Sequence, residues 1–238
     1  MLSTYLLFFQ HAIQTTVIAE DFDYFDLSIG QSQQSRYIKV ERFGNGPEPI
    51  VILASIHGTE LVGTPLCNQL VDALEVHPDW LEKRTIYLMK LTNPDGAVQG
   101  IRGNSNNIDI NRNFPTSNFG RGWFNGDDPL SAPETTILMD FFVTVQPSRV
   151  LTIHQPLHGI DYDGPAKELA QELSDVSNVR IHRLGSRSGS LGSFVGNDLE
   201  IPIITLEIPG YANERSADWL WTRYGALLHA FIVYEPTN

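Results

Sequence analysis

Apolar residues along the chain follow two patterns: short β-rich runs and longer segments with one apolar face. Runs of roughly four to eight apolar or β-branched residues between turn residues are typical of buried strands. Such runs occupy residues 37–43, 50–56, 85–91, 149–154 and 202–209, with a weaker one at 180–184. Helical spacing of apolar residues occupies 64–74, 135–145, 166–173 and 219–234. Because strands alternate with helices, the pattern predicts an α/β fold with helices on both faces of a sheet.

The segments between these elements are polar and rich in turn residues. Residues 20–29 are acidic and aromatic and are predicted to form a surface segment, and residues 93–96 (Asn-Pro-Asp-Gly) a turn. Residues 97–132 show little regular pattern, and so long a loop in a compact chain is usually functional or disordered. Residues 131–134 (Ser-Ala-Pro-Glu) have the spacing of a capping box before a helix. Residues 185–196 are rich in Gly and Ser.

Composition narrows the class of protein. The 238 residues are 42% hydrophobic, which is enough for one sizeable core, and we expect a single domain over residues 1–238. The net charge of −12 argues against a nucleic-acid partner, which would require a basic face. Cys67 is the single cysteine of the sequence, so no disulfide forms within the chain, and a cytoplasmic location is permitted.

The N-terminal segment at residues 2–9 is apolar, but no basic residues precede it and it is too short to span a bilayer. We expect residues 1–29 to be an extension that packs on the domain, and a degenerate signal sequence is the alternative. No other stretch resembles a transmembrane helix, so no membrane partner is expected. The aromatic residues at 22–25 suit a self-association patch, which would make the protein a homodimer.

Two of the predicted strands end in a histidine, and a glutamate follows the first of them. His57 ends the run at 50–56, Glu60 follows three residues later, and His154 ends the run at 149–154. Sites in open α/β sheets form at the carboxyl ends of strands, so these side chains are expected at one sheet edge. Two His and one Glu bind many catalytic zinc ions and leave one position for water. The three residues together predict a zinc site. Taken alone, each histidine is explained as a structural residue at a strand end and Glu60 as a solvated residue at a helix start.

Glu207 lies inside the apolar run at 202–209, where a carboxylate is costly to bury unless it is paired or functional. Hydrolysis at a zinc site needs a base that takes a proton from water and passes it to the leaving amine. Glu207 is the candidate for that base, and a buried salt bridge to an arginine is the alternative.

Arginines in the long loop are candidates for binding anions. Arg102 suits the stabilisation of the oxyanion of a tetrahedral intermediate. Asn111 and Arg112 belong to an Asn-rich stretch at residues 109–115. A guanidinium binds a carboxylate through two parallel hydrogen bonds, so Arg112 is the candidate for holding a substrate carboxylate. The alternative for both arginines is a solvated surface charge.

Together these motifs resemble the zinc carboxypeptidases over about residues 30–234. The matching motifs, in the same order, are His57-x-x-Glu60, residues 93–96, Asp109-x-Asn111-Arg112-Asn113-Phe114, His154 and Glu207. The resemblance implies a three-layer α/β/α sandwich around a mixed sheet of about eight strands. It implies one zinc ion on His57, Glu60 and His154, with Glu207 as general base and then acid. It also implies that Arg102 polarises the scissile carbonyl and that Asn111 and Arg112 bind the C-terminal carboxylate of a peptide.

Within this family the chain is similar to the bacterial murein peptide amidase A group. The similarity lies in Gly30-x-Ser32-x-x-x-Arg36 and in residues 154–161 and 189–196; the last of these replaces a segment with a tyrosine in digestive carboxypeptidases. The resemblance implies cytoplasmic hydrolysis of the γ-D-glutamyl–meso-diaminopimelate bond of murein tripeptides, a step in cell-wall peptide recycling. Residues 185–196 then either contact the diaminopimelate side chain or form a flexible linker.

Three other functions remain compatible with the sequence. The first is a general zinc carboxypeptidase that removes C-terminal residues from α-peptides. The second is a deacylase of the succinylglutamate desuccinylase or aspartoacylase type, which shares the His-x-x-Glu motif; the long segment from Asn93 to Phe114 and the late Glu207 disfavour it. The third is a non-catalytic protein that binds cell-wall peptides, which the complete set of ligands and Glu207 disfavours.

Overall fold

A computed structural model describes residues 23–236 as a twisted sheet with helices on both faces. The strands are β1 (Tyr24–Gln31), β2 (Tyr37–Phe43), β3 (Glu48–Ala54), β4 (Arg84–Met89), β5 (Arg149–His154), β6 (Gly159–Asp163) and β7 (Ile203–Glu207). The α-helices are α1 (Gly63–Val76), α2 (Pro94–Gln99), α3 (Pro133–Val145), α4 (Lys167–Ser177) and α5 (Ala217–Val233). The remaining helical turns are a π-helix at Gly192–Asp198 and 3-10 turns at Pro78–Leu81, Ile110–Arg112 and Gly210–Glu214.

The sheet is mixed, and its strand order is β1-β2-β4-β3-β5-β7-β6. The four central strands, β4, β3, β5 and β7, are parallel, whereas β1, β2 and β6 run antiparallel to their neighbours. The described residues thus contain seven strands, against the roughly eight expected from the resemblance. The carboxyl ends of β3, β5 and β7 lie side by side, which places the residues that follow them in one region of the surface.

Two apolar cores separate the sheet from its helical layers. On one face Ile50, Ile52 and Ala54 of β3 pack with side chains of α1, α4 and α5. On the other face Val51 and Leu53 of the same strand pack with α3. A strand buried on both faces needs an uninterrupted apolar run, which is why β3 was recognisable in the sequence. The predicted α/β/α sandwich is therefore confirmed.

The segment at residues 24–31 differs from the prediction of a surface segment, because it forms the edge strand β1. Ile29 packs against the core, while Asp26 on the exposed side pairs with Lys39 of β2 at 2.9 Å. The ring of Tyr24 packs against that of Phe43 in a tilted arrangement with centroids 5.1 Å apart, so it does not contribute to an exposed aromatic patch. Acidic residues on the solvent side of an edge strand obscured its alternation. Residues 1–22 and their predicted packing lie outside the described residues.

Two predicted turn features at helix starts are wrong. Residues 93–96 begin helix α2 instead of forming a free turn: the side chain of Asn93 caps it by accepting a hydrogen bond from the Gly96 amide. The capping box at residues 131–134 is absent, because Ala132 precedes α3 and makes no side-chain cap. Ser131 instead accepts a hydrogen bond from Asn113, and Glu134 is drawn into contacts with other loops.

Two further differences concern residues 159–198. β6 has alternating Asp and apolar residues and was not predicted, whereas the weak strand expected at residues 180–184 is reduced to one bridge, between Ile181 and Ile160. The Gly- and Ser-rich segment is not a flexible linker, since it leads into the π-helix at Gly192–Asp198 and buries Phe194 and Val195. Within residues 23–236 no helix has the length and apolarity needed to cross a membrane.

Candidate active site

Four of the predicted site residues follow the ends of neighbouring parallel strands. His57 and Glu60 lie just after β3, His154 is the last residue of β5, and Glu207 is the last residue of β7. His154 and Glu207 are direct neighbours across the β5–β7 pairing. All four side chains are at least nine-tenths buried. Residues separated by up to 150 positions in the chain are therefore brought to one sheet edge, as the strand-end rule predicts.

The Glu60 carboxylate lies between the two histidine rings. Its Oε1 is 2.9 Å from Nδ1 of His57 and its Oε2 is 3.0 Å from Nδ1 of His154. One ligand atom from each of the three residues lies within 4.8 Å of the others, which forms the one such group of three or more potential ligands in residues 23–236. The predicted ligand set is thus assembled as a candidate metal site.

The contacts of His57 test whether these residues suit a metal ion. Nε2 of His57 lies 3.1 Å from Oδ1 of Asp109, so it donates to that carboxylate and Nδ1 is left without a proton in the neutral ring. Nδ1 is buried and makes no hydrogen bond, because its contact with Glu60 has poor hydrogen-bond geometry. A buried imidazole nitrogen aimed at a carboxylate and a second histidine fits a divalent metal, and His₂Glu sets suit zinc.

Asp109 was missed as a functional residue in the sequence. Its side chain also accepts a hydrogen bond from the Asn111 amide, which caps the 3-10 turn at Ile110–Arg112. Burial alone would raise the pKa of Asp109, but the His57 ring and the nearby guanidinium groups lower it below its usual range. Asp109 is therefore an ionised partner that orients His57. Asp109 could have been proposed from the sequence, because metal-binding histidines commonly donate the N–H of their other ring nitrogen to a carboxylate.

Arg102 lies against the ligand cluster. Its Nη1 donates to Oε1 of Glu60 at 2.7 Å and its Nε donates to Oδ2 of Asp109 at 3.0 Å, while about half of the side chain remains exposed. Its backbone carbonyl accepts hydrogen bonds from the Gly58 amide and from Nδ2 of Asn93. These contacts hold the guanidinium next to the candidate metal site, where it is accessible to a ligand. The alternative of a free surface charge does not apply to Arg102.

Glu207 has no basic partner in the described residues, which removes the alternative of a buried salt bridge. One carboxylate oxygen accepts a hydrogen bond from the Leu157 amide at 3.2 Å. Burial raises the pKa of Glu207 above its ordinary value, and the opposing effect of His154 is smaller. A buried carboxylate with a raised pKa beside a candidate metal site has the properties of a general base.

Asn111 and Arg112 lie on the 3-10 turn capped by Asp109. Oδ1 of Asn111 accepts a hydrogen bond from the Leu191 amide at 2.7 Å, so its NH₂ group is the part left for a ligand. Burial lowers the pKa of the Arg112 guanidinium, and the neighbouring Arg102 and Arg187 lower it further. Three guanidinium groups therefore surround one region of an acidic protein, which favours an anionic ligand.

A single cavity of about 390 Å³ connects these groups. One end is lined by the candidate metal ligands, by Glu207 and by the two residues of the 3-10 turn. The other end runs down β5, β7 and β6 past Thr152, Thr205 and Asp161, and is covered by residues 184–192. The cavity is large enough for a small peptide end and has polar groups at both ends.

A buried network supports the loop that carries Arg102. Asp95 in the first turn of α2 accepts hydrogen bonds from Oγ of Ser32, the Gln34 amide and Nη1 of Arg36, all in the turn between β1 and β2. The motif at residues 30–36 is therefore structural: it fastens the β1–β2 turn to α2. Asn93, which precedes α2, then holds the backbone at residues 102 and 103.

Comparison with known proteins identifies relatives of this chain. The family model described as zinc carboxypeptidase matches residues 24–189. Murein peptide amidase A of Escherichia coli (strain K12) is 32% identical over 190 residues, covering 71% of this chain and 74% of that protein. Murein peptide amidase A of Vibrio campbellii (strain ATCC BAA-1116) is 30% identical over 204 residues, covering 78% of each.

Solved structures agree with this relationship. The crystal structure of murein-tripeptide amidase MpaA from Escherichia coli O157 has a TM-score of 0.71 at 26% identity, covering 90% of this chain and 93% of that one. Carboxypeptidase A from Helicoverpa armigera also has a TM-score of 0.71, but at 18% identity, and there the likeness shows the fold alone.

The family match spans more than half of the chain and includes the three candidate metal ligands, while Glu207 lies beyond its end. The geometry of the site is consistent with the match, because a His₂Glu cluster, a buried carboxylate and a group of arginines share one cavity. The chain belongs to the zinc carboxypeptidase family of peptide hydrolases.

Proposed function

We propose that this protein is a zinc-dependent amidase that hydrolyses the γ-D-glutamyl–meso-diaminopimelate bond of murein peptides. The observation that carries the proposal is the cavity in which His57, Glu60 and His154 lie beside Glu207 and Arg112. The two curated relatives named murein peptide amidase A support the choice of substrate. We also propose one zinc ion per chain and a place in cytoplasmic cell-wall peptide recycling.

Substrate binding in this mechanism begins with the C-terminal carboxylate. The guanidinium of Arg112 and the free NH₂ group of Asn111 are placed to bind that carboxylate, with the fork of Arg112 making two parallel hydrogen bonds. The hydrogen bond from Leu191 fixes the Asn111 carboxamide and so sets the direction of its NH₂ group. The scissile carbonyl then lies toward Arg102, whose guanidinium stabilises negative charge that develops on the carbonyl oxygen.

His57, Glu60 and His154 would hold the zinc ion, and Asp109 keeps the ring of His57 in the orientation that presents Nδ1. Zinc bound by such a set polarises a carbonyl and lowers the pKa of water to near neutrality. Glu207 accepts the proton from the attacking water and delivers it to the leaving amine of the diaminopimelate residue. Burial suits Glu207 to the first step, because a carboxylate with a raised pKa is a stronger base and accepts a proton from water at lower cost.

The test is an assay with L-Ala-γ-D-Glu-meso-diaminopimelate as substrate and purified, zinc-loaded protein. Release of free diaminopimelate is the expected result. Absence of release, together with cleavage of ordinary C-terminal α-peptides, would show a general carboxypeptidase instead. If the protein hydrolyses N-acylated amino acids but neither kind of peptide, it is a deacylase.

The variant Glu207→Gln separates catalysis from binding. We expect it to lose about three or more orders of magnitude in kcat, because it removes the proton acceptor, and to retain its zinc. Ile204→Val on the same strand, in the core and not in the lining of the cavity, is the matched control for disturbance of β7. A protein that only binds cell-wall peptides would show no hydrolysis in the wild type and unchanged affinity in the variant.

The remaining expectations are tested directly. Metal analysis of the purified protein measures the zinc content per chain, and cell fractionation tests the cytoplasmic location. Sedimentation analysis tests the homodimer, which loses its support from residues 22–25 because Tyr24 and Phe25 are half-buried in β1.

A further inference from the structure

The end of the cavity away from the candidate metal ligands contains charged groups that the proposed chemistry does not use. Asp161 and Asp163 lie on β6, and Arg187 lies on the segment that covers the cavity. Both carboxylates are more than nine-tenths buried, and Arg187 is exposed at the rim. A buried acid and an accessible base facing one space are an arrangement that recognises a ligand carrying both charges.

The Asp163 carboxylate has one oxygen without a protein partner. Oδ1 accepts a hydrogen bond from Oγ of Ser186, whereas Oδ2 makes no hydrogen bond or ion pair with any residue in the range 23–236. A Cβ at Gly192 would lie 2.3 Å from this Oδ2, so a side chain there would collide with the oxygen, and both residues line the cavity. Burying a carboxylate oxygen without a partner is costly, and a cationic ligand group would offset that cost.

Asp161 differs from Asp163 in this respect. Its Oδ1 accepts a hydrogen bond from Nη1 of Arg183 at 2.7 Å, and the same guanidinium lies 3.7 Å from the centre of the Tyr162 ring. Asp161 is therefore already neutralised by the protein. Asp163 is left as the acidic group available to a ligand at this end of the cavity.

Arg187 is the basic group on the same side. Its guanidinium makes no hydrogen bond or ion pair within the described part of the chain, although it is near enough to Arg112 to lower the pKa of that residue. Its neighbour Ser186 is bound to Asp163, and Leu191 is bound to Asn111. The segment that carries Arg187 is thus fastened at one end to the open acid and at the other to the residue proposed to hold the C-terminal carboxylate.

We propose, building on the proposed function, that Asp163 and Arg187 form a specificity subsite for a C-terminal residue whose side chain ends in an amino acid group. Asp163 binds the side-chain ammonium through its free Oδ2, and Arg187 binds the side-chain carboxylate. Together with Arg112, the cavity then holds a residue with two carboxylates and one ammonium, and diaminopimelate has this combination. Lysine lacks the second carboxylate and an ordinary aliphatic residue lacks both groups.

The test compares three tripeptides, each beginning with L-Ala-γ-D-Glu and ending in meso-diaminopimelate, in L-lysine or in 2-aminopimelate. Lysine lacks the side-chain carboxylate and 2-aminopimelate lacks the side-chain ammonium. With the zinc-loaded wild type, we expect kcat/KM to be about 10–100-fold lower for each of the two analogues, since each loses one charged hydrogen bond.

Two variants assign the two groups. Arg187→Met is expected to lower kcat/KM about 10–100-fold on the diaminopimelate and 2-aminopimelate peptides and to leave the lysine peptide unchanged. Asp163→Asn keeps an acceptor for Ser186 and is expected to lower the rate on the diaminopimelate and lysine peptides while sparing 2-aminopimelate. Arg180→Met, an exposed arginine nearby in the same chain region, is the matched control and should change none of them.

Equal losses on all three peptides in each variant, or no loss in either, would overturn the subsite. Failure of the proposed function has a different signature: the wild type would release no diaminopimelate although it hydrolyses other peptides. In that case titration of free meso-diaminopimelate and of lysine into the zinc-loaded wild type and the same variants decides the subsite. Binding of diaminopimelate that is weakened by both variants supports it, and equal binding to all proteins excludes it.

Discussion

At the scale of single residues, the two carboxylates of the site, Glu60 and Glu207, differ in the groups that contact them. Glu60 contacts both histidines and Arg102, whereas Glu207 receives one amide hydrogen bond and no cation in the described residues. The first carboxylate consequently has its pKa lowered, because the two histidines outweigh its burial, and the second has its pKa raised by burial. One carboxylate is thus suited to bind a metal and the other to exchange protons.

The hydrogen bond between Asp109 and His57 leads to a prediction at the scale of single residues. Asp109→Asn is expected to weaken zinc affinity about 10–100-fold, because the amide no longer holds the His57 ring through a charged hydrogen bond. Competition with a chelator of known affinity measures this change. Asp128→Asn, an exposed acid paired with Arg121 elsewhere on the surface, is the control and should leave zinc affinity unchanged. Unchanged affinity in Asp109→Asn would remove Asp109 from the support of the metal site.

At the scale of elements, the site depends on a loop fastened to the β1–β2 turn. Gln33 in this turn and Asn104 in the loop both donate hydrogen bonds to Glu134 at the start of α3. Asp95 in α2 accepts a hydrogen bond from Ser32 in the same turn. The turn between β1 and β2 therefore connects two helix starts with the loop that carries Arg102. Long loops are held in this way when buried side chains satisfy their backbone groups.

Because the Asp95 carboxylate is hydrogen-bonded in the folded state, we expect the free energy of unfolding to depend on pH. Burial would raise its pKa, but the hydrogen bonds from Ser32, Arg36 and Gln34 outweigh burial and lower it. A lowered pKa in the folded state means that the carboxylate stabilises the fold above its unfolded-state pKa, and that this contribution is lost as pH falls through the folded-state pKa. Asp95→Asn should therefore cost about 1.5–3 kcal/mol at pH near 7 and progressively less below about pH 4.

Urea unfolding of the wild type and of Asp95→Asn across this pH range measures the difference. Asp26→Asn is the control, because it removes an exposed ion pair with Lys39 in the same hairpin and should cost no more than about 1 kcal/mol. A cost for Asp95→Asn that stays constant with pH would contradict the role of the ionised carboxylate.

A substitution at Gly58 tests the close approach between the turn that carries His57 and helix α2. A Cβ at this position would lie 2.0 Å from the carbonyl carbon of Gly96, so Gly58→Ala must separate two backbone segments. We expect a loss of about 1–3 kcal/mol in unfolding free energy and a measurable decrease in zinc affinity. Gly120→Ala meets only an ordinary contact at 3.4 Å and is the matched control. A Gly58→Ala protein with wild-type stability would show that the two segments yield easily.

At the scale of the whole molecule, the candidate metal site links separate parts of the chain. His57 and Glu60 follow β3, His154 ends β5, and Asp109 belongs to the long loop. A ligand that binds the folded state and not the unfolded chain stabilises the protein in proportion to the logarithm of its concentration over Kd. Zinc should therefore stabilise the whole domain and not a single loop.

Removal of zinc is thus expected to lower Tm. At a free zinc concentration 1,000-fold above Kd the stabilisation is about 4 kcal/mol, which corresponds to roughly 8–16 °C for a domain of this size. Thermal unfolding with zinc and after chelation measures the shift. Glu207→Gln should show the same shift as the wild type, whereas His57→Ala should show little or none. A full shift in His57→Ala would remove His57 from the metal site.

The order of strands and helices could be predicted because it depends on local patterns. The uninterrupted apolar run of β3 and the helical spacing of α5 are visible in the chain itself, since burial on both faces or on one face imposes them. β1 escaped prediction because an edge strand tolerates Asp and Ser, and β6 escaped because the buried Asp161 and Asp163 interrupt its apolar residues. The helix start at Asn93 escaped because Asn-Pro favours both a turn and an N-cap.

By itself, the sequence determined the α/β class and the chemistry of the candidate ligands. The carboxyl ends of parallel strands lie at one edge of the sheet, so polar residues at several strand ends are expected to form one site. Only the tertiary structure decided which polar groups have partners. Asp109 turned out to hold His57, Glu207 to lack a basic partner, and Asp163 to keep one oxygen free in the described structure. These properties depend on contacts between residues far apart in the chain, and hydrophobic patterning carries no information about them.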